Sequence, residues 1–402
     1  MTRDLPADPV VRSLVERARS ARLTRRGAFG LAGAGALSLA LAACSTGALP
    51  KTATDVSSRD KTVRWASWPL YLDIDEAKKH PTLEAFEKKT GITVDYREDI
   101  EDNLSYFASV KSRLLAGQDI GTDTAVLTDW MVSRWVRYGY TQELDHSRMS
   151  NLKNLSSKLR AVSFDEGRKH SVPWQGGFAG IAWSKEAFPK GFASVGEMLA
   201  EPQLKGRIEV LSEMRDTIGL ILMEQGVSIA ERFSNRAFEA ALDVVRKNIS
   251  DGVIRGVKGN GAYTDDLVSG QALAAIAWSG DIQTINADHG DKWEFALPDA
   301  GGTLWNDNFV VPIGSRHKAN VEQLIDWYYD PAIAAQVAAY VNYVTPVEGA
   351  QEEAAKIDPA LADNRWIFPD ARTLGRAKVW IDLDPATDQS YSSAFQEVLL
   401  SA

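Results

Sequence analysis

The sequence of 402 residues has few of the residues and motifs on which most enzymes and nucleic-acid-binding proteins depend. Its single cysteine excludes a disulfide within the chain. It has no HExxH pair, no GxSxG and no phosphate-binding glycine loop, so neither an enzyme activity nor a cofactor or metal is expected. The 45 basic residues against 54 acidic ones give a net charge of −9, which argues against nucleic acid. All five histidines are expected at the surface: His80, His146, His170, His289 and His317.

Residues 1–43 have the features of a secretory signal peptide. Arginines precede an uncharged stretch from Gly27 to Ala43. This stretch is too short to span a bilayer as a permanent helix. The segment Leu41–Cys44 is similar to the lipobox of bacterial lipoproteins, in which the cysteine is acylated and becomes the new N-terminus. We therefore predict an exported protein that is held by lipid on Cys44 at the outer face of the bacterial cytoplasmic membrane.

The exported chain is expected to be more acidic than the full sequence. Removal of residues 1–43 leaves 38 basic and 51 acidic side chains, a net charge of −13. Residues 44–61 are mainly Ser, Thr, Ala and Asp, which predicts a flexible linker between the lipid and the folded body. Arg25-Arg26 resembles the twin-arginine export signal, and export by the Tat or the Sec pathway stays open.

From Lys61 onward, short apolar runs alternate with amphipathic segments, which predicts an α/β fold of two domains or one large one. The first part reads βαβαβ and is expected to form a parallel sheet, with strands at 62–66, 92–96 and 124–127 and helices at 82–90 and 104–114. A second α/β set follows, with strands near 180–184, 207–211, 272–277 and 294–297 and helices near 214–224 and 235–248. A further strand is predicted at 308–313, followed by a mainly helical remainder.

Four of the twelve tryptophans lie with carboxylates where predicted strands end or begin. Ligand sites in open α/β sheets lie beyond the carboxyl ends of the strands, so these side chains are expected to share one site. They are Trp68, Tyr71, Thr128, Asp129, Trp130, Glu213, Asp216, Trp278, Asp281, Trp305 and Asp307. The other tryptophans are expected to pack in the interior: Trp65, Trp135, Trp174, Trp183, Trp293, Trp327, Trp366 and Trp380.

Indole rings beside carboxylates suit an organic cation with an apolar stem. Methylene groups pack on the rings, and a ring face attracts an ammonium group by about 0.5 to 2 kcal/mol. Each terminal amine can then pair with a carboxylate. The net charge of the exported chain adds modest electrostatic steering.

Residues 62–395 resemble the spermidine/putrescine-binding proteins of bacterial ABC importers. The resemblance rests on the order and spacing of short segments: Trp68–Tyr71, Thr128–Trp130, Ser212–Asp216, Ala277–Gly280, Gly301–Asp307 and Tyr343–Pro346. It implies the two-lobed periplasmic-binding-protein fold (type II), with the ligand cleft between the lobes. The chain is expected to cross between the lobes within Val172–Gly177 and again near Trp305. Lobe 1 would then comprise 62–173 and 306–345, and lobe 2 would comprise 174–305 and 346–402.

The resemblance also implies a monomeric receptor that captures a polyamine and delivers it to the permease and ATPase subunits of an importer, without chemistry. The residues expected to contact the ligand are Trp68, Tyr71, Thr128, Trp130, Glu213, Asp216, Asn260, Trp278, Trp305, Asp307 and Tyr343. The family has a glutamine near the C-terminus where this sequence has Ile381 or a neighbour, so the preferred amine stays open.

Two other ligands are compatible with the same fold, a ferric ion and a sugar. The adjacent Tyr328 and Tyr329 invite the ferric alternative, but they lie in a predicted helix, where neighbours point apart, so packing is favoured. A sugar would also suit tryptophans and carboxylates. The variant Asp307→Asn should distinguish a cation site from a sugar site. A cation site should lose its ligand, whereas a sugar site should tolerate the isosteric asparagine. Glu213 and Asp216 could in principle serve as the two acids of a glycosidase, but the expected fold argues against this activity.

Overall fold

The computed structural model describes residues 50–259 and 261–400. The predicted signal peptide (1–43), Cys44 and Asn260 lie outside the described residues. Within those two ranges, no helix combines the length and the apolar character that crossing a membrane requires.

Ten strands in the described ranges form one mixed sheet. They are β1 (Thr62–Ala66), β2 (Thr93–Arg97), β3 (Thr124–Thr128), β4 (Ser171–Ser184), β5 (Ile208–Leu211), β6 (Ile254–Lys258), β7 (Ala274–Trp278), β8 (Trp293–Ala296), β9 (Gly302–Val310) and β10 (Ala377–Lys378). Their order is β2-β1-β3-β9-β4-β7-β5-β6, with β8 beside β4 and β10 beside β9.

β1 pairs in parallel with β2 and β3, which confirms the predicted parallel unit. β5 likewise pairs in parallel with β6 and β7.

Helices connect these strands and complete the C-terminal part of the chain. They are α1 (Pro81–Thr90), α2 (Asn103–Leu115), α3 (Asp129–Arg137), α4 (Val195–Ala200), α5 (Met214–Glu224), α6 (Asn235–Ser250), α7 (Tyr263–Val268), α8 (Ser279–His289), α9 (Lys318–Tyr328), α10 (Pro331–Val341), α11 (Ala350–Ile357), α12 (Pro359–Ala362), α13 (Ala371–Gly375) and α14 (Pro385–Leu399). Helix α14 shows why such segments begin where they do: Pro385 occupies its first turn, and the Asp384 carboxylate accepts hydrogen bonds from two free N–H groups.

The long strands β4 and β9 run antiparallel to each other and join the two parallel parts of the sheet. Gly177 pairs with Trp305, and a β-bulge lies between Pro173 and Gln175. The predicted crossing segment Val172–Gly177 is therefore part of a strand. Each strand satisfies the backbone hydrogen bonds of the other, which outweighs the low strand propensity of the glycines.

Three apolar clusters hold the described elements together. The largest, here the Phe238 core, includes Tyr391, whose ring stacks on that of Phe238 with centroids 3.8 Å apart. A second, the Trp65 core, packs Trp65 against Trp174. The third, the Trp135 core, lies between α2, α3 and the strands β1 and β3.

Six of the eight tryptophans expected in the interior are buried: Trp65, Trp135, Trp174, Trp183, Trp293 and Trp366. Trp327 is half-buried.

Tyr328 and Tyr329 are both buried, and the Tyr329 hydroxyl donates to the Pro173 carbonyl at 2.6 Å. The predicted packing role of this tyrosine pair is confirmed.

The surface position expected for the histidines is wrong for His317, which is buried. Its Nδ1 lies 3.0 Å from Asp123 Oδ1, and its Nε2 lies 3.2 Å from Asp60 Oδ2. Two carboxylates thus make an interior position favourable for this ring. His146 and His289 are exposed, and His80 and His170 are half-buried.

Residues 53–60 pack against the folded body, although the sequence analysis places them in the flexible linker. Val56 is buried, and its N–H donates to the Arg316 carbonyl at 2.8 Å. The Ala53 N–H donates to the Ile313 carbonyl at 3.1 Å. These backbone hydrogen bonds outweigh the polar composition of the segment, so the ordered body begins by Ala53 and the predicted linker is too long at its C-terminal end.

Candidate functional site

A cavity of about 730 Å³ lies where β1, β3, β5 and β7 end. Ten of the eleven predicted contact residues line it: Trp68, Tyr71, Thr128, Trp130, Glu213, Asp216, Trp278, Trp305, Asp307 and Tyr343. The eleventh, Asn260, lies outside the described residues. Side chains that are distant in the sequence meet here because parallel strands bring their carboxyl ends to one edge of the sheet.

Trp305 and Asp307 reach the cavity from within a strand, although the strand predicted here begins only at residue 308. They lie within β9, which pairs with β4 on one side and β3 on the other. Alternate residues of a strand share a face, so Thr303, Trp305 and Asp307 all point toward the cavity. Pairing on both sides thus positions these side chains more rigidly than a loop would.

The Asp307 carboxylate is held by two hydroxyl groups at the cavity. The Tyr71 hydroxyl donates to its Oδ2 at 2.7 Å, and the Thr128 hydroxyl donates to its Oδ1 at 2.7 Å. The Asn103 side-chain amide donates in turn to Thr128 Oγ1 at 2.9 Å. Only 5% of Asp307 is exposed, and this burial raises its pKa to about 7 although both hydroxyls oppose the shift.

Asp216 is held in the same manner on another side of the cavity. The Trp278 indole N–H donates to its Oδ2 at 2.7 Å, and the Thr303 hydroxyl donates to its Oδ1 at 2.5 Å. Burial raises the pKa of Asp216 to about 6. The bond to the indole also fixes the orientation of the Trp278 ring.

Glu213 caps the N-terminus of α5, where its carboxylate accepts from the Arg215 N–H at 3.2 Å. A cap of this kind normally favours the charged form. Burial outweighs it here and raises the pKa of Glu213 to about 8, with the nearby Arg215 opposing the shift. The three-residue spacing places Glu213 at the N-cap and Asp216 in the first turn of the same helix.

A fourth carboxylate, Asp281, lines the same cavity, as its position after a predicted strand end led us to expect, although it is not among the residues expected to contact the ligand. It lies in the first turn of α8 and accepts from the Tyr343 hydroxyl at 2.6 Å and the Tyr263 hydroxyl at 2.9 Å. Burial raises its pKa.

The aromatic side chains form a continuous wall. The rings of Trp278 and Trp305 lie 6.5 Å apart between centroids, those of Trp305 and Tyr343 lie 5.3 Å apart, and those of Tyr343 and Tyr71 lie 5.7 Å apart. All three pairs meet edge to face, an arrangement that aromatic rings favour. The wall therefore presents both ring faces and ring edges to the cavity.

Two glycines make room for this wall. A Cβ added at Gly177 would lie 2.5 Å from the Trp305 ring, and one added at Gly280 would lie 2.6 Å from the Tyr343 ring. Real side chains never approach so closely. The rings of Trp305 and Tyr343 occupy the space that any larger residue would fill.

Trp130 has a different environment from the other predicted stacking residues. The guanidinium of Arg215 lies 4.2 Å from the centroid of its ring, and that of Arg134 lies 5.3 Å away. This ring already makes cation–π contacts within the protein. Arg134 lies four residues after Trp130 in α3, a spacing at which helix side chains meet, whereas Arg215 comes from α5 and could not be predicted from the sequence pattern.

Trp380 also borders the cavity, although it was expected to pack in the interior. Its indole N–H donates to the Arg215 carbonyl at 2.6 Å, and its ring meets Phe233 edge to face. Gly219 seats this ring, since a Cβ there would lie 2.6 Å from the indole nitrogen. Trp380 thus packs against the Phe238 core as predicted, and its additional place at the cavity was not predicted because no predicted strand end precedes it.

The cavity wall is strongly acidic. Among the described residues it includes nine acids and one basic side chain, Arg215, which pairs with Asp388. The acids are Glu101, Asp102, Asp129, Glu213, Asp216, Asp265, Asp281, Asp288 and Asp307. In the described ranges, no group of three or more histidine, cysteine or carboxylate side chains is arranged to hold a metal ion.

The mixed sheet and its cleft are those of a two-lobed solute-binding protein, and comparison with known proteins agrees. Residues 82–363 match the family model described as bacterial extracellular solute-binding protein, and the chain belongs to this family. The spermidine/putrescine-binding periplasmic protein of Salmonella typhimurium is 26% identical over 341 residues, which cover 85% of this chain and 92% of the relative. The putrescine/cadaverine-binding protein of Pseudomonas aeruginosa is 25% identical, with 79% and 90% covered.

A solved structure supports the same fold. A Listeria monocytogenes protein assigned to spermidine/putrescine ABC transport superposes with a TM-score of 0.74 at 26% identity, covering 85% of this chain and all of the other. The predicted fold class, an α/β two-lobed periplasmic-binding-protein fold of type II, is thereby confirmed.

Proposed function

We propose that this protein is the polyamine receptor of an ABC importer and that it binds spermidine, putrescine or a related organic cation in the cleft between its lobes. The ligand is held without a chemical step, so the protein is not an enzyme. The relatives named above carry spermidine, putrescine or cadaverine in their names, which supports the choice of ligand class.

One observation carries this proposal. Asp216, Asp281 and Asp307 are largely removed from water, and the hydrogen bonds they accept from described residues come only from neutral tyrosine, threonine and tryptophan groups. Buried carboxylates are normally paired with a cation. A ligand with two or more ammonium groups supplies the missing charge.

The aromatic wall accounts for the rest of the ligand. Methylene groups between two amines can pack against Trp278 and Trp305, with one ammonium at Asp307 and another toward Glu213 and Asp216. The hydroxyls of Tyr71 and Thr128 hold the Asp307 carboxylate in position for such a contact. Asn260 and Trp68 are proposed as further contacts.

We further propose how the protein is organised and located. Residues 62–173 with 306–345 were predicted as lobe 1 and residues 174–305 with 346–402 as lobe 2, with the lobes moving about β4 and β9. The packing of Trp174, Val347, Ala350 and Ala354 in the Trp65 core supports moving Trp174 and helix α11 from lobe 2 to lobe 1. Lipid on Cys44 holds the exported chain at the membrane, where it works as a monomer with its permease and ATPase subunits. Residues 53–60 are hydrogen-bonded to the folded body, which supports a tether shorter than the predicted linker 44–61.

Titration calorimetry tests the ligand class. The chain from residue 45 onward should give heat with putrescine and spermidine and none with ferric citrate or maltotriose. Butane-1,4-diol is the matched control, because it has the length of putrescine without the charges. Absence of heat with every di- and polyamine tried would refute the proposal, and equal binding of the diol would refute charge recognition.

A further inference from the structure

Helix α3 and the segment Asp382–Asp388 are joined by a set of polar contacts beside the cavity. The Ser133 hydroxyl donates to Asp382 Oδ1 at 2.7 Å, and the Arg137 guanidinium donates to Asp382 Oδ2 at 2.9 Å. One turn earlier in the helix, Arg134 pairs with Asp388. Under the proposed division, α3 lies in lobe 1 and the segment lies in lobe 2, so these contacts cross the cleft.

The two sides of this contact are anchored in different interiors. From α3, Met131, Val132 and Trp135 belong to the Trp135 core. From α14, Tyr391 and Phe395 belong to the Phe238 core. The contact between them consists of ion pairs and hydrogen bonds, so it can open without exposing either core to water.

A buried Arg-Asp-Arg triad forms the centre of the contact. Asp388 accepts from Arg215 at 2.7 Å and pairs with Arg134, and all three side chains are largely excluded from solvent. These two arginines lower the pKa of Asp388 although burial opposes them. Removing three charges from water offsets most of what their attraction contributes, so such a triad is weak evidence for fold stability.

The triad is directly connected to the ligand site. Both arginines of the triad lie against the ring of Trp130, and Trp130 and Arg215 line the cavity. A ligand in the cavity therefore lies beside the group of side chains that joins the two lobes on this side.

We propose that Ser133, Arg134 and Arg137 on α3 form a latch with Asp382 and Asp388, which closes the cleft over a bound ligand and sets how slowly the ligand leaves. This inference rests on the proposed function and on the proposed division into lobes. The latch breaks when the lobes separate, and its two halves then become hydrated, which lowers the cost of opening.

A double-mutant cycle on the more accessible pair tests the latch with little risk to folding. Arg137→Gln, Asp382→Asn and the double variant are compared with wild type by stopped-flow tryptophan fluorescence, with putrescine and spermidine as ligands. Each single variant should raise the dissociation rate constant about fivefold and change the association rate constant less than twofold. The double variant should be no worse than either single one.

The control is the ion pair Arg246–Asp243, which lies within helix α6 and is exposed on both sides. Arg246→Gln and Asp243→Asn should leave both rate constants unchanged. An ordinary structural pair at Arg137 and Asp382 would show its coupling in urea unfolding of the ligand-free protein and would not alter dissociation. That result overturns the latch while leaving the proposed function intact.

A distance measurement separates failure of the latch from failure of the proposed function. The chain from residue 45 has no cysteine, so spin labels at Ser112→Cys and Glu239→Cys report the separation of α2 from α6. The double variant should shift this distance distribution to longer values without ligand. If no polyamine binds wild type but the shift occurs, the proposed ligand class is wrong, while the role of these contacts in holding the lobes together is supported. Superimposable distributions overturn the latch whether or not a polyamine binds.

Discussion

The substitution Asp307→Asn should weaken ligand binding and at the same time stabilise the ligand-free protein. Asp307 is buried, accepts two hydrogen bonds from neutral hydroxyls and has no cation beside it among the described residues. Asparagine keeps the shape and removes the charge. The side-chain NH2 of the asparagine can donate a hydrogen bond to the Tyr71 hydroxyl oxygen once that hydroxyl group rotates. The fold should therefore be retained.

The gain in stability follows from the raised pKa of Asp307, about 7 in the fold against 3.8 as its ordinary value. Below pH 4 the acid is neutral in both folded and unfolded chains, and there is no penalty. As the pH rises from 4 to 7, the unfolded chain ionises first, and the fold loses stability until the penalty is complete above pH 7. At pH 8 the variant should be more stable by up to about 4 kcal/mol, roughly 2 °C in Tm for each kcal/mol.

The loss of affinity follows from the removal of one partner of a desolvated charge pair. Such truncations cost about 2 to 5 kcal/mol, so Kd for putrescine at pH 8 should rise at least about 30-fold. At pH 5 the wild-type carboxyl is mostly protonated and must release its proton before it pairs with an ammonium. The difference between wild type and variant should therefore shrink below about tenfold at pH 5.

Calorimetry at pH 8 and pH 5, together with thermal unfolding without ligand, measures both effects. Asp363→Asn is the control, because Asp363 is exposed and the variant loses the same charge away from the cavity. Unchanged affinity of Asp307→Asn at pH 8, or the same ratio of affinities at both pH values, would refute charge pairing at this residue. A less stable ligand-free variant would refute the argument from burial.

Three further predictions address other parts of the molecule. Glu213→Gln should reduce the affinity for polyamine less than Asp307→Asn does at pH 7, because burial raises the pKa of Glu213 to about 8. The loss should grow at pH 9, where Glu213 is ionised. Calorimetry at pH 7 and pH 9 measures both losses, and equal losses at the two pH values would contradict the prediction. Gly280→Ala should displace the Tyr343 ring and weaken polyamine binding about tenfold, with thermal unfolding as the control for intact folding. Cys44→Ala should move the protein from the membrane fraction to the soluble fraction on cell fractionation, whereas continued sedimentation with membranes would exclude the lipid anchor.

The parallel part of the sheet could be predicted because its residues repeat with a clear period. β1, β2 and β3 alternate or run apolar, and the helices between them carry apolar residues at helical spacing, so local pattern and tertiary packing agree. Contact residues directly after strand ends were predicted for the same reason. Their place in the site depends on strand direction, which a βαβ order already determines.

The antiparallel centre of the sheet could not be predicted in this way. Gly176, Gly177 and Gly180 interrupt the pattern of β4, and Gly302 begins β9. These strands form because each supplies hydrogen-bond partners for the other across a long sequence separation. The position of Trp305 on a strand, and the bridging of Asp388 by two arginines, likewise depend on contacts between distant segments.

The α/β order and the acidic, aromatic composition of the strand ends follow from the amino-acid sequence by itself, and the proposed export signal rests on it alone, because each is a property of neighbouring residues. Tertiary structure alone decided which acids lie in the cavity without a cation partner, that Arg215 meets the Trp130 ring, and that residues 53–60 join the folded body. The physical reason is desolvation: burial raises the pKa of Asp216 to about 6 and that of Asp307 to about 7, and burial exists only once distant segments have packed together.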